Sequence, residues 1–82
     1  MFRYFLSIIK NMKENMILSK NLRELREQKN LRQQDVADIV GSSQKNVSNW
    51  EIGKFEPDIQ TLWKLADYFD VTIDYLVGRS DL

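Results

Sequence analysis

Residues 33–50 read QQDVADIVGSSQKNVSNW, and their pattern predicts the architecture of the chain. Apolar residues recur there at the three- and four-residue steps of helices, at Val36, Ala37, Val40, Val47 and Trp50. Between the two groups, Gly41 suits a helix end that needs positive φ, and Ser42 or Ser43 can cap the first amides of a new helix. We therefore predict two short helices, joined by a short turn and crossing sharply at roughly 90–120°.

Outward from this pair, capping and helix-breaking residues divide the chain into five helical segments. The predicted segments are about 19–28, about 32–40, about 44–51, a fourth from the Asp58 cap to about 69, and a fifth from the Thr72 cap to Gly78. Their inward residues, besides those above, are predicted to be Leu22, Leu25, Ile59, Leu62, Leu65, Ala66, Phe69, Ile73, Leu76 and Val77. No alternating strand pattern appears, so we predict an all-α fold: a compact five-helix domain over 19–78, followed by a tail at 79–82.

Composition restricts the classes of function. The 82 residues suffice for one domain, and 43% apolar with 29% charged residues is ordinary for a globular fold. Cysteine and histidine are both absent, which excludes disulfides and thiolate metal sites and removes the commonest general base. We therefore expect no enzyme activity, metal site, cofactor or small-molecule substrate.

Charge is balanced overall but uneven along the chain. Twelve Lys and Arg residues match twelve Asp and Glu residues, and a zero net charge argues weakly against nucleic-acid binding. Residues 19–55 nevertheless hold seven basic and five acidic residues, whereas residues 56–82 hold two basic and six acidic ones. Because fields are screened within about 10 Å, one face can be cationic while the total cancels.

The first eighteen residues form an apolar extension that leaves three interpretations open. Its large apolar residues recur at steps of three and four, at Phe2, Phe5, Leu6, Ile9, Met12 and Met16. This spacing favours a helix that packs on the domain or on a second copy of it. The alternatives are a disordered or untranslated leader, with Met16 as the start, and a helix lying on a membrane surface. The apolar run is too short for a signal peptide or a membrane span, so we expect a cytoplasmic protein without a membrane partner.

The outward face of segment 44–51 has a composition that favours recognition. Its members are Gln44, Lys45, Asn46, Ser48 and Asn49. Solvated helix faces are usually rich in Glu and Lys, which are better helix formers than Asn or Ser. Side-chain amides present paired donors and acceptors that match adenine N6 and N7 in the DNA major groove, and lysine can reach guanine or a phosphate.

The chain resembles the lambda-repressor-like, Cro-type helix-turn-helix family, often called the Xre family. The matching stretches are LRQQDVADIVG at 31–41, SQKNVSNWEIGK at 43–54, Pro57, TLWKLA at 61–66 and VTIDYLVG at 71–78. The resemblance covers roughly residues 22–78, and the full run in this order is specific. It departs from the family at Ser42, which replaces an apolar turn residue and is expected to loosen the turn slightly. The leader before Met16 lies outside the pattern.

The resemblance implies a role for each matching residue. Segment 44–51 would be the recognition helix, with base-reading positions at Gln44, Lys45, Asn46 and Asn49. Phosphate-binding positions would be Gln33, Ser43, Ser48 and Lys54. Phosphate contacts fix the register of a protein on DNA, whereas base contacts specify the sequence.

Simpler interpretations exist for several of these residues. Gln33 can cap its own helix, and Lys45 can be a solvated lysine. Asn46 and Asn49 are individually ordinary surface residues, and only as a set do they favour recognition.

The basic residues of the first segment alternate with acidic ones, and they are Arg23, Arg26 and Lys29 beside Glu24 and Glu27. This alternation favours ion pairs on the helix surface, although Arg26 also suits an internal bond.

Four aromatic residues are divided between core and surface. Trp50 and Phe55 are predicted in the core, and Trp63 and Tyr68 fit either a dimer face or a buried helix. For the dimer surface we favour the fourth and fifth segments, with Tyr75, Leu76 and Val77.

We therefore expect a prokaryotic or phage transcriptional regulator that binds double-stranded DNA as a homodimer. Two recognition helices related by a twofold axis would read an approximately palindromic operator, and repression by occlusion is the expected mechanism. The alternative keeps the fold without the DNA: a protein-interaction module such as an antitoxin or anti-repressor, suggested by the zero net charge and the apolar leader.

Overall fold

The computed structural model describes residues 17–79, which form five helices and no strand. The helices are α1 (17–28), α2 (Gln33–Val40), α3 (Gln44–Glu51), α4 (Ile59–Phe69) and α5 (Ile73–Val77). The predicted all-α class is confirmed. Our interpretations of residues 1–16 and the predicted tail beyond Arg79 lie outside the described residues. Within 17–79, no helix is long and apolar enough to cross a membrane.

Helix α1 begins earlier than its predicted start at Ser19. Residues 17 and 18 are already helical, and Leu18 is buried in the core. Leu18, Leu22 and Leu25 follow steps of four and three, so the apolar stripe of α1 includes the last residues of the sequence we assigned to the leader.

One apolar core joins all five helices. Its buried members are Leu18, Leu22, Val36, Ala37, Val40, Val47, Trp50, Leu65, Phe69 and Leu76. Helix α2 packs against both α3 and α4, and α4 packs against α5. The inward positions predicted on α2 and α3 are therefore confirmed.

The connection between α2 and α3 is a short turn, as predicted. Gly41 ends α2 in the left-handed region, with φ of 71°, and its N–H donates to the Ala37 carbonyl. Ser43 then caps α3, because its hydroxyl accepts the N–H of Asn46 at 3.1 Å. The caps predicted at Asp58 and Thr72 are also confirmed, since each accepts an N–H three residues further on.

Two residues predicted inside lie at the surface. Phe55 is 44% exposed and Ile59 is 54% exposed. Phe55 follows Gly53, whose left-handed backbone ends the helical phase from which we extrapolated its position. Ile59 is the first residue of α4 and shares a flank with Trp63, four residues on, which is 56% exposed. This exposure excludes the buried-helix interpretation of Trp63.

Residues Ile17 and Asn21 of α1 pack against the end of α5. The Asn21 side chain donates from Nδ2 to the Tyr75 carbonyl at 2.9 Å. Gly78 lies so close that an added Cβ would be 2.5 Å from the Ile17 side chain. Helix α1 thereby connects the last helix to the rest of the domain.

Candidate nucleic-acid interface

Helix α3 presents the face on which the predicted base-reading residues lie. Val47, Trp50 and Glu51 are buried against the core, so the opposite face points away from the domain. Lys45 is exposed there, and Asn49, four residues later, is half-buried beside it. Lys45 and Asn49 make no side-chain hydrogen bond or ion pair within residues 17–79, so both side chains are available to a ligand.

Gln44 stands at one edge of this face and is held by α2. Its Nε2 donates to Oε1 of Gln33 at 2.6 Å. Gln33 in turn donates from Nε2 to Oε1 of Glu51 at 3.1 Å. Gln33 therefore does not cap its own helix. Its side-chain amide instead bridges Gln44, at the start of α3, and Glu51, at the end of α3.

Asn46 stands at the other edge of the face and is held by the turn. Its Nδ2 donates to the Ser42 hydroxyl at 3.0 Å, while its backbone N–H is bound by Ser43. The predicted base-reading set is thus brought onto one surface, with two residues unrestrained and two held at the edges.

The C-terminal end of α3 carries a buried carboxylate that our sequence reasoning did not single out. Glu51 is 3% exposed, and Arg26 of α1 donates to both of its oxygens, from Nε at 2.6 Å and from Nη2 at 3.0 Å. Arg23 approaches the same carboxylate at 3.8 Å. The hydrogen bonds from Arg26 to Glu51 raise the pKa of Arg26, so its guanidinium stays protonated.

The burial of Glu51 could have been predicted from helical periodicity. Val47, Trp50 and Glu51 are spaced at i, i+3 and i+4, so Glu51 lies on the same inward stripe as the two apolar residues. A buried acid requires a cationic partner, which suggests the arginines of α1. The internal bond suggested for Arg26 is confirmed, but Arg23 binds α3 rather than its predicted helix neighbours. Lys29 lies 5.5 Å from the centre of the Tyr68 ring, a cation–π contact.

The carboxylate sets the direction of the hydrogen bonds that lead to Gln44. An ionised carboxylate only accepts, so Gln33 must turn its NH₂ group toward Glu51. The Gln33 oxygen is then left facing Gln44, whose NH₂ group must turn inward in the same way. Gln44 consequently offers its carbonyl oxygen and its second N–H to an external partner, the pair that adenine N6 and N7 complement.

Main-chain groups at the end of α3 are also satisfied by α1. The buried Ser19 hydroxyl donates to the Trp50 carbonyl at 2.8 Å, and Arg23 donates to the Glu51 carbonyl at 3.1 Å. A cation suits this position because the carbonyl end of a helix is negative. Helix α3 is therefore anchored rigidly at its C-terminal end.

The predicted phosphate-binding residues surround this helix. Lys54 is exposed, and its N–H donates to the Asn49 carbonyl at 2.9 Å, so the loop that carries it folds back onto α3. Ser43 is exposed at the opposite end and retains the hydrogen of its hydroxyl, because its cap uses only the oxygen as an acceptor. Ser48 is half-buried, and Gln33 lies in the first turn of α2, where backbone amides favour an anion.

The entry to α2 also holds a charged pair. The guanidinium of Arg32 donates to the Asp35 carboxylate at 2.7 Å, and the Arg32 N–H donates to it at 2.8 Å. These bonds lower the pKa of Asp35 to about 2, the side-chain bond from Arg32 being the larger cause. The carboxylate satisfies an amide at the helix start and largely cancels the charge of Arg32.

A family model described as helix-turn-helix matches residues 22–76, more than half of the chain. With this fold and this arrangement of α2 and α3, the chain belongs to the lambda-repressor-like helix-turn-helix family. The relatives described below are named as HTH-type transcriptional regulators. Membership of this family confirms the expectation that the chain is not an enzyme.

Two curated relatives come from Bacillus subtilis strain 168. The uncharacterized HTH-type transcriptional regulator YqaE is 39% identical over 66 residues, which are 79% of this chain and 57% of that protein. The HTH-type transcriptional regulator ImmR is 34% identical over 67 residues, which are 82% of this chain and 53% of that protein. The chain thus spans little more than half the length of these relatives.

A solved structure is similar in three dimensions. The P22 c2 repressor, crystallised in complex with synthetic operator 9T, matches with a TM-score of 0.74 and 26% sequence identity. The match covers 78% of this chain and 97% of that chain.

Proposed function

We propose that this protein is a transcriptional regulator that binds double-stranded DNA with α3 in the major groove. The observation that carries the proposal is the outward face of α3, where two unrestrained side chains lie between two amides held by α2 and the turn. Gln44, Lys45, Asn46 and Asn49 would read bases. The binding of an operator by the similar P22 c2 repressor supports the same use of this fold.

The residues around α3 would grip the DNA backbone. Lys54, Ser43, Ser48 and Gln33 would contact phosphates on either side of the groove. Of the acidic residues after residue 55 that the structure describes, Asp67 lies on α4 and Asp74 on α5, and the others lie in the loops and caps on either side of α4.

A homodimer would place two copies of α3 in successive major grooves, roughly 34–36 Å apart, and would select an approximately palindromic operator. Ile59 and Trp63 on α4 offer an exposed apolar surface for the second copy. Leu76 is fully buried within the monomer core, so our assignment of it to the dimer surface was wrong. Tyr75 and Val77 are half-buried and remain candidates. Such a dimer, acting in the cytoplasm, would repress transcription by occluding a promoter.

The proposal is tested by selecting bound duplexes from a random DNA library and measuring affinity at two or more salt concentrations. We expect a palindromic site whose log K falls with log salt by about 0.9 per phosphate neutralised. No enrichment at low salt, with the protein folded and dimeric, would overturn the proposal and favour the protein-interaction module, whose apolar contacts respond little to salt.

A further inference from the structure

The turn residue Ser42 is held in one place by the end of α2. Its backbone N–H donates to the Ala37 carbonyl at 2.8 Å, and Ala37 is fully buried in the core. Ser42 itself is half-buried. The backbone that carries its hydroxyl is therefore fixed with respect to α2.

This hydroxyl accepts a hydrogen bond from the side chain of Asn46, with 3.0 Å between Nδ2 and Oγ. Asn46 is the third residue of α3, and its backbone N–H is bound by the neighbouring Ser43. Main chain and side chain of Asn46 are thus both tied to the turn. The apolar residue that the family resemblance leads us to expect at position 42 has no atom that could accept this bond.

The hydrogen bond to Ser42 distinguishes Asn46 from Lys45 and Asn49, which lie in the middle of the outward face of α3. Among residues 17–79, Lys45 and Asn49 have no side-chain partner, so each must lose rotamer freedom when it binds. The Asn46 amide loses much of that freedom during folding, because one end of it is held at the Ser42 hydroxyl. An amide held beside the turn before binding loses less rotamer freedom on the base pair that it fits, and it cannot swing away to suit a different pair without breaking the bond to Ser42.

We propose that Ser42 is a positioning residue that determines specificity at the base pair contacted by Asn46. The inference rests on the proposed function, because it concerns how α3 reads DNA. Ser42 does not contact the base, and its whole contribution passes through the Asn46 amide.

The test uses two variants of nearly equal shape, Ser42→Thr and Ser42→Val, in the full chain. Threonine keeps the hydroxyl and valine removes it. Asn46→Ala first identifies the operator base pair at which preference depends on Asn46. The affinity of each variant is then measured for the selected operator, for its three substitutions at that pair, and for substitutions at the pair identified by Gln44→Ala.

We expect Ser42→Val to lower discrimination at the Asn46 pair roughly three- to tenfold, the size expected when one immobilised side chain is released. Discrimination at the Gln44 pair should not change, and Ser42→Thr should behave as the wild type. Ser42→Val combined with Asn46→Ala should match Asn46→Ala alone. In the free protein, NMR relaxation should show greater mobility of the Asn46 side-chain amide in Ser42→Val than in Ser42→Thr.

The inference is overturned if Ser42→Val weakens binding to all sequences equally, or if its effect persists in the Asn46→Ala background. Equal amide mobility in the valine and threonine variants would also overturn it. Ser42→Ala removes the hydroxyl without added volume and repeats the test if Ser42→Val unfolds. A wild-type protein that shows no sequence preference would instead overturn the proposed function itself, before any variant is compared.

Discussion

The two ends of α3 are held in different ways. At the C-terminal end, the buried Glu51 carboxylate is paired with Arg26 and bound by Gln33, and α1 side chains cap the last carbonyls. At the N-terminal end, the side chains of Gln44 and Asn46 each make a single neutral hydrogen bond, the first exposed and the second partly buried. One end is fixed by charge inside the protein, and the other is steadied by groups that a ligand can still reach.

This difference separates folding from recognition within a helix of eight residues. A buried ion pair is costly to break, because an unpartnered charge then remains in the interior. A single neutral hydrogen bond contributes less to stability, about 0.5–1.5 kcal/mol. Substitutions at the C-terminal end should therefore affect stability first, and those at the N-terminal end should affect specificity first.

The largest effect is expected for Glu51→Ala. It leaves Arg26 partly buried without its partner, and the free energy of unfolding should fall by about 3–5 kcal/mol. Urea denaturation measures the loss, and Lys20→Ala, which breaks an exposed pair with Glu24, should cost less than about 0.5 kcal/mol. If the two variants lose similar amounts, the ion pair does not anchor α3.

The next effect concerns the N-terminal end. Gln44→Ala and Asn46→Ala should each lower affinity for the selected operator by about 1–3 kcal/mol and relax preference at one base pair. Because each side chain makes one neutral hydrogen bond, stability should change by no more than about 1 kcal/mol. Binding to operator and random DNA, together with denaturation, measures both quantities. An equal loss on both kinds of DNA would contradict the base-reading role.

A smaller and different effect is expected for Lys54→Ala. Its ammonium group is proposed to neutralise one phosphate, so its loss should weaken binding to every sequence and reduce the salt slope by about one unit. Titrations at several salt concentrations give the slope, with Gln44→Ala as the variant that should leave it unchanged. A change in base preference without a change in slope would exclude this role.

Lowering the pH should weaken the caps at the starts of α2 and α4 but not the cap at the start of α3. The N–H of Thr61 lowers the pKa of Asp58, and Arg32 lowers that of Asp35 from 3.8 to about 2. Since both pKa values are depressed in the folded state, these carboxylates stabilise it above about pH 4; Asp35 loses that contribution as the pH falls toward 2, and Asp58 loses it as the pH falls below its ordinary pKa of 3.8.

Backbone amide shifts between pH 5 and about pH 2 test this difference. The chemical shift of the Thr61 N–H should follow the titration of Asp58, its acceptor, with a midpoint below pH 3.8. The Asn46 N–H should show no such titration, because its acceptor is the Ser43 hydroxyl, which carries no titratable proton in this range. An ordinary midpoint at Thr61 would show that the cap does not depress the Asp58 pKa.

Most of the fold followed from local pattern. The turn at Gly41, the caps at Ser43, Asp58 and Thr72, and the inward phase of α2 and α3 all agree with the structure. The errors lie where a helical phase was extended past its end, at Phe55, or assigned to a first residue, at Ile59. The base and phosphate assignments came from the amide-rich face and the family resemblance, and they stay predictions until DNA binding is measured.

Helix bounds, caps and the outward character of α3 depend on residues within about four positions of one another, and periodicity reports such relations directly. The placement of Glu51 against residues 25 and 18 positions away arises only when α1, α2 and α3 pack together. That packing also orients Gln33, and through it Gln44. The kinds of group on the recognition face are thus written in the local sequence, whereas the direction in which the Gln44 amide points is set by a buried charge that the folded chain brings to it.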